Sequence, residues 1–124
     1  MSNIKLCDFG SASKVTECEI TPLLVSRFYR PPEIMLGLPY AEPVDMWSVG
    51  CVLFELYTGK ILFAGKDNND MLRLFLETKG RFPAKMVKKG MFRAEHFAED
   101  GYTFLFQKTD VHSGMVSFVS HVSA

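Results

Sequence analysis

The sequence predicts a mainly α-helical fold, and three observations lead to that prediction. Segment 44–60, VDMWSVGCVLFELYTGK, is apolar on most sides of a helix, and segment 69–79 has a broad apolar face. The β-like run at residues 4–7, IKLC, is too short to be stable without a neighbouring strand. Helices should therefore make up most of the core.

The longer helix is expected over residues 45–58, with Asp45 as its cap and Gly59 at its end. Its apolar residues lie on nearly every side: Met46, Trp47, Val49, Val52, Leu53, Phe54, Leu56 and Tyr57. Such a helix belongs inside a core. A chain of 124 residues must surround it completely, unless further protein covers it. We therefore expect a central buried helix.

A second helix is expected over residues 69–79, where Asp67 or Asn68 can cap the start and Gly80 the end. Beyond about Glu99 the pattern weakens. The stretches TFLF and MVSFVSHV there are compatible with strands, but no turn or periodicity signal settles their structure.

The segment before the longer helix is expected to be irregular. Residues 11–30 are rich in Ser and Thr, and connections of that length tend to be functional or mobile. Pro31-Pro32-Glu33 then opens a short helical turn that ends at Gly37, since proline is favourable at a first helical position.

The composition is that of a folded protein without a charge bias. Fourteen basic residues balance fourteen acidic ones, so charge indicates neither a nucleic-acid nor a membrane partner. Cys7, Cys18 and Cys51 form no CxxC pair, which suits a reducing compartment and favours neither disulfides nor zinc. No apolar run reaches the roughly 18 residues of a spanning helix, and no signal peptide is evident. A soluble intracellular protein is expected.

The triplet Asp8-Phe9-Gly10 follows the β-like run and suits a metal site. A carboxylate beside a flexible glycine can hold hydrated Mg²⁺ against a polyphosphate. Taken alone the triplet is weak, because aspartate and glycine also commonly close a strand. One carboxylate does not make an active site, so other motifs must support this interpretation.

Three motifs stand in order: Asp8-Phe9-Gly10, then Pro31-Pro32-Glu33, then DMWSVG at 45–50. Together they resemble the large lobe of eukaryotic protein kinases. The stretch SRFYRPPE is similar to the group of cyclin-dependent, mitogen-activated and dual-specificity tyrosine-regulated kinases. Within that group, the sequence from residue 45 to residue 92 resembles the pre-mRNA-processing kinases of the splicing machinery.

This resemblance covers residues 3 to about 97. It implies a mainly α, partial kinase C-terminal lobe over residues 1–98, with a short strand, an activation segment, a buried central helix and a following helix. The predicted fold contains no N-lobe. The tail, residues 99–124, is left unassigned.

The resemblance implies nucleotide and metal roles for the first motif. Asp8 would coordinate the Mg²⁺ that bridges the phosphates of ATP. Cys7 would face the nucleotide pocket, the alternative being a buried, inert thiol. Phe9 would pack beneath the phosphates in a hydrophobic column, and Gly10 would let the backbone flip.

Residues 11–30 would form the activation segment. Ser26 would contact the catalytic aspartate, as in serine/threonine kinases, while Arg27 and Arg30 would line the site for the substrate residue after the phosphoacceptor. Thr21 aligns with the threonine of a paired phosphosite, the alternative being an ordinary loop residue.

Other matching residues would be structural. Glu33 would pair with an arginine well downstream, and Asp45 would bond the backbone of the catalytic loop. Trp47 and Gly50 would belong to the central helix. Leu23 stands where the group usually has a regulatory tyrosine, and leucine has no hydroxyl to phosphorylate.

In the family, the glycine loop, the ATP-contacting lysine and the catalytic His-Arg-Asp loop all precede the triplet. This chain begins seven residues before Asp8, so we expect no catalytic residue in it and no activity from it alone. The complete enzyme would transfer the ATP γ-phosphate to protein serine or threonine. Protein substrates, splicing factors among them, and a nuclear location follow from the resemblance, without direct nucleic-acid or membrane contact.

A second hypothesis remains open. The chain would then be a non-catalytic binding module, docking partners through its helices and the basic loop around Lys85, Lys88 and Lys89. The physiological substrate and the oligomeric state are left open by the sequence.

Overall fold

The computed structural model describes residues 1–121 and places four α-helices and one β-hairpin in that range. The helices and strands are α1 Pro32–Leu36, α2 Pro43–Thr58, α3 Asn68–Lys79, α4 Ala84–Lys89, β1 Phe104–Thr109 and β2 Val116–His121. Short 3-10 turns lie at Val15–Glu17, Arg27–Tyr29 and Arg93–Glu95. The mainly helical fold is confirmed, with one small sheet added.

Residues 4–7 do not form the predicted strand. Every residue from 1 to 17 is exposed, and the sheet in the described range consists of β1 and β2 alone. A strand needs a neighbour to take up its backbone hydrogen bonds. The short-strand prediction is therefore wrong for this chain, because residues 4–7 have no such neighbour here.

Helix α2 begins two residues earlier than predicted. Pro43 occupies its first turn, no side chain caps it, and Asp45 lies exposed in that turn, near the positive end of the helix dipole. Gly59 ends the helix as predicted, with φ of 70° and its N–H donating to the Glu55 carbonyl at 2.7 Å. Asp45 is therefore not the cap, because proline starts the helix first.

Helix α2 is packed on one side only. Of its 16 residues, Val44 and Cys51 are buried and Trp47 is half-buried. We call the opposite side the α2 apolar face; it consists of Met46, Val49, Leu53, Leu56 and Tyr57, all of them exposed. Leu53 and Leu56 are 61% and 76% exposed. The prediction of a helix buried within this chain is wrong, because the described residues pack against one side of it.

The core lies between the packed side of α2, helix α3 and the hairpin. Trp47 stacks on Phe63, with ring centroids 5.9 Å apart, and meets the edge of Phe75 at 5.0 Å. Phe63 and Phe75 form a second edge-to-face pair at 4.6 Å. Further buried members are Met35, Leu36, Met71, Leu72, Val87, Phe97 and Phe104. This cluster positions α2 and α3 relative to each other.

Helix α3 and the turn at α1 form as predicted. Asp67 caps α3 by accepting the Asp70 N–H at 2.8 Å, and Gly80 follows the last helical residue. Helix α1 ends at Gly37, whose φ of 75° is a conformation that glycine adopts readily. Local capping and turn chemistry therefore determine both elements.

The two strand-compatible stretches pair as an antiparallel hairpin, with Phe104 opposite His121 and Thr109 opposite Val116. Phe104 is buried and contacts Phe97 at 5.5 Å between ring centroids. This contact crosses the predicted division between residues 1–98 and 99–124, and the division stays a prediction. Val122, which closed the second stretch, lies outside the described residues.

Asn69 joins the hairpin to α3. Its buried amide Nδ2 donates to His96 Nδ1 at 3.1 Å and to the Leu105 carbonyl at 2.9 Å, and its Oδ1 accepts the Gln107 N–H at 2.9 Å. Because Nδ2 is a donor, Nδ1 of His96 must accept. The imidazole is therefore neutral, with its proton on Nε2.

Acidification should destabilise the fold through His96. Burial lowers the pKa of His96 from 6.5 to about 4. The unfolded chain therefore binds this proton more readily. The neutral ring contributes fully to the free energy of unfolding above pH 6.5, and this contribution is lost as the pH falls towards 4. The loss is about 3 kcal/mol at pH 4. Urea unfolding at pH 7 and pH 4.5 measures this loss.

His96→Gln is the matched control for the pH effect, since glutamine does not titrate. We expect its stability to change less between the two pH values than that of the unaltered chain. An equal pH dependence in both proteins would show that other groups cause the acid sensitivity.

Among the described residues, no helix combines the length and the apolar character needed to cross a membrane. Cys7, Cys18 and Cys51 are free thiols in the structure.

Candidate functional site

The first motif lies on an exposed arm. Cys7, Asp8 and Gly10 are exposed, and the Phe9 ring is 68% exposed. Asp8 has φ of 63°, which aspartate tolerates better than most residues, and a turn follows in which the Ala12 N–H donates to the Phe9 carbonyl at 3.0 Å. The alternative of a buried thiol at Cys7 is wrong, because this arm does not enter the core.

Asp8 can supply one ligand of a magnesium site. Mg²⁺ takes six oxygen ligands in near-octahedral geometry, most of them water, carboxylate or substrate phosphate. Within residues 1–121, no group of three or more His, Cys, Asp or Glu side chains is placed to hold a metal ion. The described residues therefore fit one position of such a site and do not complete it.

The segment before α1 is held by Arg30, which is 7% exposed. Its Nε donates to the carbonyls of Leu24 at 3.0 Å and Val25 at 3.2 Å, and its Nη2 donates to Val25 at 2.9 Å. Val25 has φ of 70°, an outlier for a β-branched residue. Arg30 thus stabilises a backbone conformation that valine rarely adopts.

Ser26 and Arg27 lie at the surface next to this held segment. Ser26 is exposed, and its carbonyl accepts the Tyr29 N–H at 2.9 Å. Arg27 Nε donates to the Gly65 carbonyl at 2.9 Å, and its guanidinium lies 5.4 Å from the centre of the Phe28 ring. The Ser26 hydroxyl and the Arg27 guanidinium therefore lie next to each other in sequence at the surface.

Two hydrogen bonds fasten the segment to the packed side of α2. The Tyr29 hydroxyl donates to Glu55 Oε2 at 2.6 Å, and the Ser48 hydroxyl donates to the Tyr29 carbonyl at 2.8 Å. The hydrogen bond with Glu55 raises the pKa of Tyr29. Because α2 is itself fixed by the aromatic cluster, the position of Ser26 depends on that cluster.

The start of the segment is fastened to α3. Asn68 Nδ2 donates to the Pro22 carbonyl at 3.0 Å, and Asn68 Oδ1 accepts from Arg30 Nη1. Thr21 is half-buried, and its hydroxyl accepts the Leu23 N–H at 3.3 Å. The Leu23 side chain is exposed.

The residues expected to be structural occupy different environments. Glu33 is half-buried beside an open groove that Tyr40 and Met86 also line. Gly50 is exposed, and an added Cβ there would meet no atom within 4 Å. Trp47 Nε1 is buried and has no hydrogen-bond partner within the described residues. Only Trp47 of these three belongs to the packed core.

The structure therefore brings Ser26, Arg27 and Arg30 together against α2 and α3, while the Asp8 motif stays on the exposed arm. Sequence reasoning missed Asn68 as a site residue and assigned it only a capping role. Its partner Pro22 lies 46 residues away, and no local pattern predicts a contact over that distance.

The amino-acid sequence of this chain matches known proteins over most of its length. Residues 1–111 match the model of the protein kinase domain. The chain is 61% identical over 97 residues to the serine/threonine-protein kinase prp4 of Schizosaccharomyces pombe, covering 78% of this chain and 20% of that protein. It is 53% identical over 120 residues to the serine/threonine-protein kinase prpf4B of Dictyostelium discoideum, covering 97% of this chain and 15% of that protein.

A more distant relative is the mouse homeodomain-interacting protein kinase 1, which is 40% identical over 109 residues, or 86% of this chain and 9% of that protein. The chain thus spans a fifth or less of the length of each of these three relatives. Since the kinase-domain model covers residues 1–111, the chain belongs to the protein kinase family.

Proposed function

We propose that this chain forms part of the catalytic domain of a serine/threonine protein kinase related to prp4. In the complete domain it would supply a magnesium ligand, the activation segment and part of the platform that receives the protein substrate. The catalytic base and the remaining ATP contacts would come from other parts of the domain. Bound Mg²⁺ would neutralise charge on the ATP phosphates during transfer of the γ-phosphate.

The α2 apolar face carries this proposal. Five apolar side chains on one side of a 16-residue helix are exposed, while the other side packs through Trp47 against Phe63 and Phe75. Large exposed apolar patches mark sites of interaction with protein, membrane or ligand. We infer that the rest of a kinase domain covers this face and makes α2 the central buried helix that the family resemblance implies.

The proposed roles come from the family resemblance, and the geometry of the segment is compatible with them. Ser26 would meet the catalytic aspartate through its exposed hydroxyl, and Arg27 would stand beside the bound substrate. Arg30, whose guanidinium is turned towards Leu24 and Val25, would shape the substrate site from within. Thr21 would be open to phosphorylation, whereas Leu23 has no hydroxyl to modify.

A chimeric kinase tests the proposal. The matching 97 residues of fission-yeast prp4 are replaced by those of this chain, and phosphate transfer to a serine peptide is measured. We expect the chimera to phosphorylate the peptide and the 124-residue chain alone to show no ATP turnover above buffer. Asp8→Asn in the chimera should lower kcat/KM by on the order of a hundredfold or more, because a charge-stabilising group is lost.

Glu42→Gln is the matched carboxyl-to-amide control, since Glu42 is exposed and lies outside the segment. It should leave the activity of the chimera unchanged. An inactive chimera that folds, or one indifferent to Asp8→Asn, would refute the proposal. So would Asp8-dependent turnover by the isolated chain, because then the chain would need no further residues.

A role in pre-mRNA splicing and a nuclear location belong to the same proposal and rest on the resemblance to pre-mRNA-processing kinases. Replacement of the prp4 segment in fission yeast tests both. Cells that carry the chimera as their source of prp4 should grow and process introns normally, and the Asp8→Asn form should not support them.

One observation favours a second, non-catalytic function. Lys85, Lys88 and Lys89 on α4 are exposed, and none of the ion pairs within the described residues involves them. Such a cluster suits an acidic protein segment. If this is the main role, Lys85→Glu with Lys89→Glu should abolish partner capture by the chimera while Asp8→Asn leaves it intact.

A further inference from the structure

Within the part of the chain that the structure describes, Arg30 is a buried cation that forms no ion pair with an acidic side chain. The ion pairs within residues 1–121 involve Lys14 and Arg73. Arg30 instead donates to the carbonyls of Leu24 and Val25 and to the amide of Asn68. A buried charge must be hydrogen-bonded to be tolerated, so these neutral acceptors are essential to the local structure.

Asn68 connects two sides of this arrangement. Its Oδ1 accepts from Arg30, and its Nδ2 donates to the Pro22 carbonyl at 3.0 Å. A side-chain amide can do both with one planar group, whereas a carboxylate has no donor and an alkyl group has neither function. The chemistry of asparagine, rather than its size, therefore suits this position.

The same contacts offset backbone strain. A non-glycine residue held at positive φ costs about 1–3 kcal/mol and persists only when its surroundings determine it. Val25 has φ of 70°, and its carbonyl receives two hydrogen bonds from Arg30. Asn68 orients the Arg30 guanidinium that makes them. Residues 22–25 are thus held at both ends by one amide–guanidinium pair.

We propose that Asn68 is a positioning residue that locks residues 22–25, and with them Ser26 and Arg27, in the conformation that receives substrate, with no phosphate group on the segment. We call the hydrogen bonds of Asn68 and Arg30 to residues 22–25 the lock. The lock is a property of the fold, whereas its effect on substrate binding rests on the proposed kinase function. It can therefore be tested by a structural measurement and by a kinetic one.

The structural test is tryptic cleavage after Arg27 in the 124-residue chain, produced in bacteria and shown by mass to carry no phosphate. Cleavage requires the segment to open locally, so its rate follows the opening equilibrium. We expect Asn68→Ala to accelerate cleavage about tenfold, since hydrogen bonds to both Arg30 and Pro22 are lost. Asn68→Asp keeps the acceptor and loses the donor, so its cleavage rate should lie between those of the unaltered chain and Asn68→Ala.

Asn69→Ala is the matched control. It removes the same type of side chain from the same end of α3, but it breaks the contacts to His96 and the hairpin instead. It should lower overall stability and leave cleavage after Arg27 within about twofold. Equal acceleration by Asn69→Ala and Asn68→Ala, or none by Asn68→Ala, would overturn the lock.

The kinetic test uses the prp4 chimera and a serine peptide. We expect Asn68→Ala to raise KM about tenfold with kcat within twofold, because substrate reception changes and phosphate transfer does not. Asn68→Asp should raise KM less than Asn68→Ala does. A fall in kcat alone would contradict the positioning role. An inactive parent chimera would count against the proposed function, and the cleavage result would still decide the lock.

Discussion

Replacing Phe75 with alanine is expected to lower the free energy of unfolding of this chain by about 3–5 kcal/mol. Phe75 is 1% exposed and contacts both Trp47 and Phe63 edge-to-face. Its removal leaves a cavity at the centre of the aromatic cluster and removes two ring pairs. Urea unfolding followed by the fluorescence of Trp47, the single tryptophan, measures the loss.

Phe118→Ala is the control for this substitution, because Phe118 is 57% exposed on β2. We expect a change within about 0.5 kcal/mol there. If Phe75→Ala costs less than about 1 kcal/mol, the aromatic cluster is not the centre of the core and the packing of α2 on α3 must be described differently.

Placing lysines at Leu53 and Leu56 is expected to have opposite effects in two settings. In the 124-residue chain both side chains are exposed, so the double variant should be more soluble and bind less of a dye that reports apolar surface. In the prp4 chimera the same lysines would be buried without partners. Activity or yield should then fall at least about tenfold, because an unpaired buried charge is strongly destabilising.

Met91→Lys is the control for the α2 apolar face, since Met91 is 65% exposed and lies outside α2. It should leave the amount and activity of the chimera unchanged. A double-lysine chimera that folds and works as well as its parent would mean that the α2 apolar face stays exposed in the complete domain.

The helices could be predicted because local signals determine them. Asp67 and Gly80 mark the ends of α3, and Gly37 and Gly59 mark the ends of α1 and α2. The sequence predicts the start of α2 two residues too late, because Asp45 looks like a cap and proline at position 43 begins the helix before it.

The environment of α2 could not be predicted from its own pattern. An all-round apolar helix predicts burial, but the pattern does not say which chain supplies the cover. The same limit applies to residues 4–7, where β-like residues predict a strand only if a neighbour is present. In both segments the predicted environment depends on a tertiary partner that the local sequence does not specify.

The residues of the candidate site likewise fall into those that the sequence predicts and one that it does not. Asp8, Ser26, Arg27 and Arg30 are predicted site residues because they lie in short motifs that resemble those of protein kinases. Asn68 is not, because its role depends on contacts with residues 38 and 46 positions away. Such contacts arise from the packing of α3 beside the segment, and a single sequence carries no local signal for them.

We propose that the rest of a kinase domain covers the α2 apolar face. Hydrogen exchange of the peptide spanning residues 46–57 tests it most directly, measured in the 124-residue chain and in the prp4 chimera. We predict exchange at least about tenfold slower in the chimera, because enclosed helices open less often. Equal exchange in both proteins, with the chimera folded, would contradict the claim.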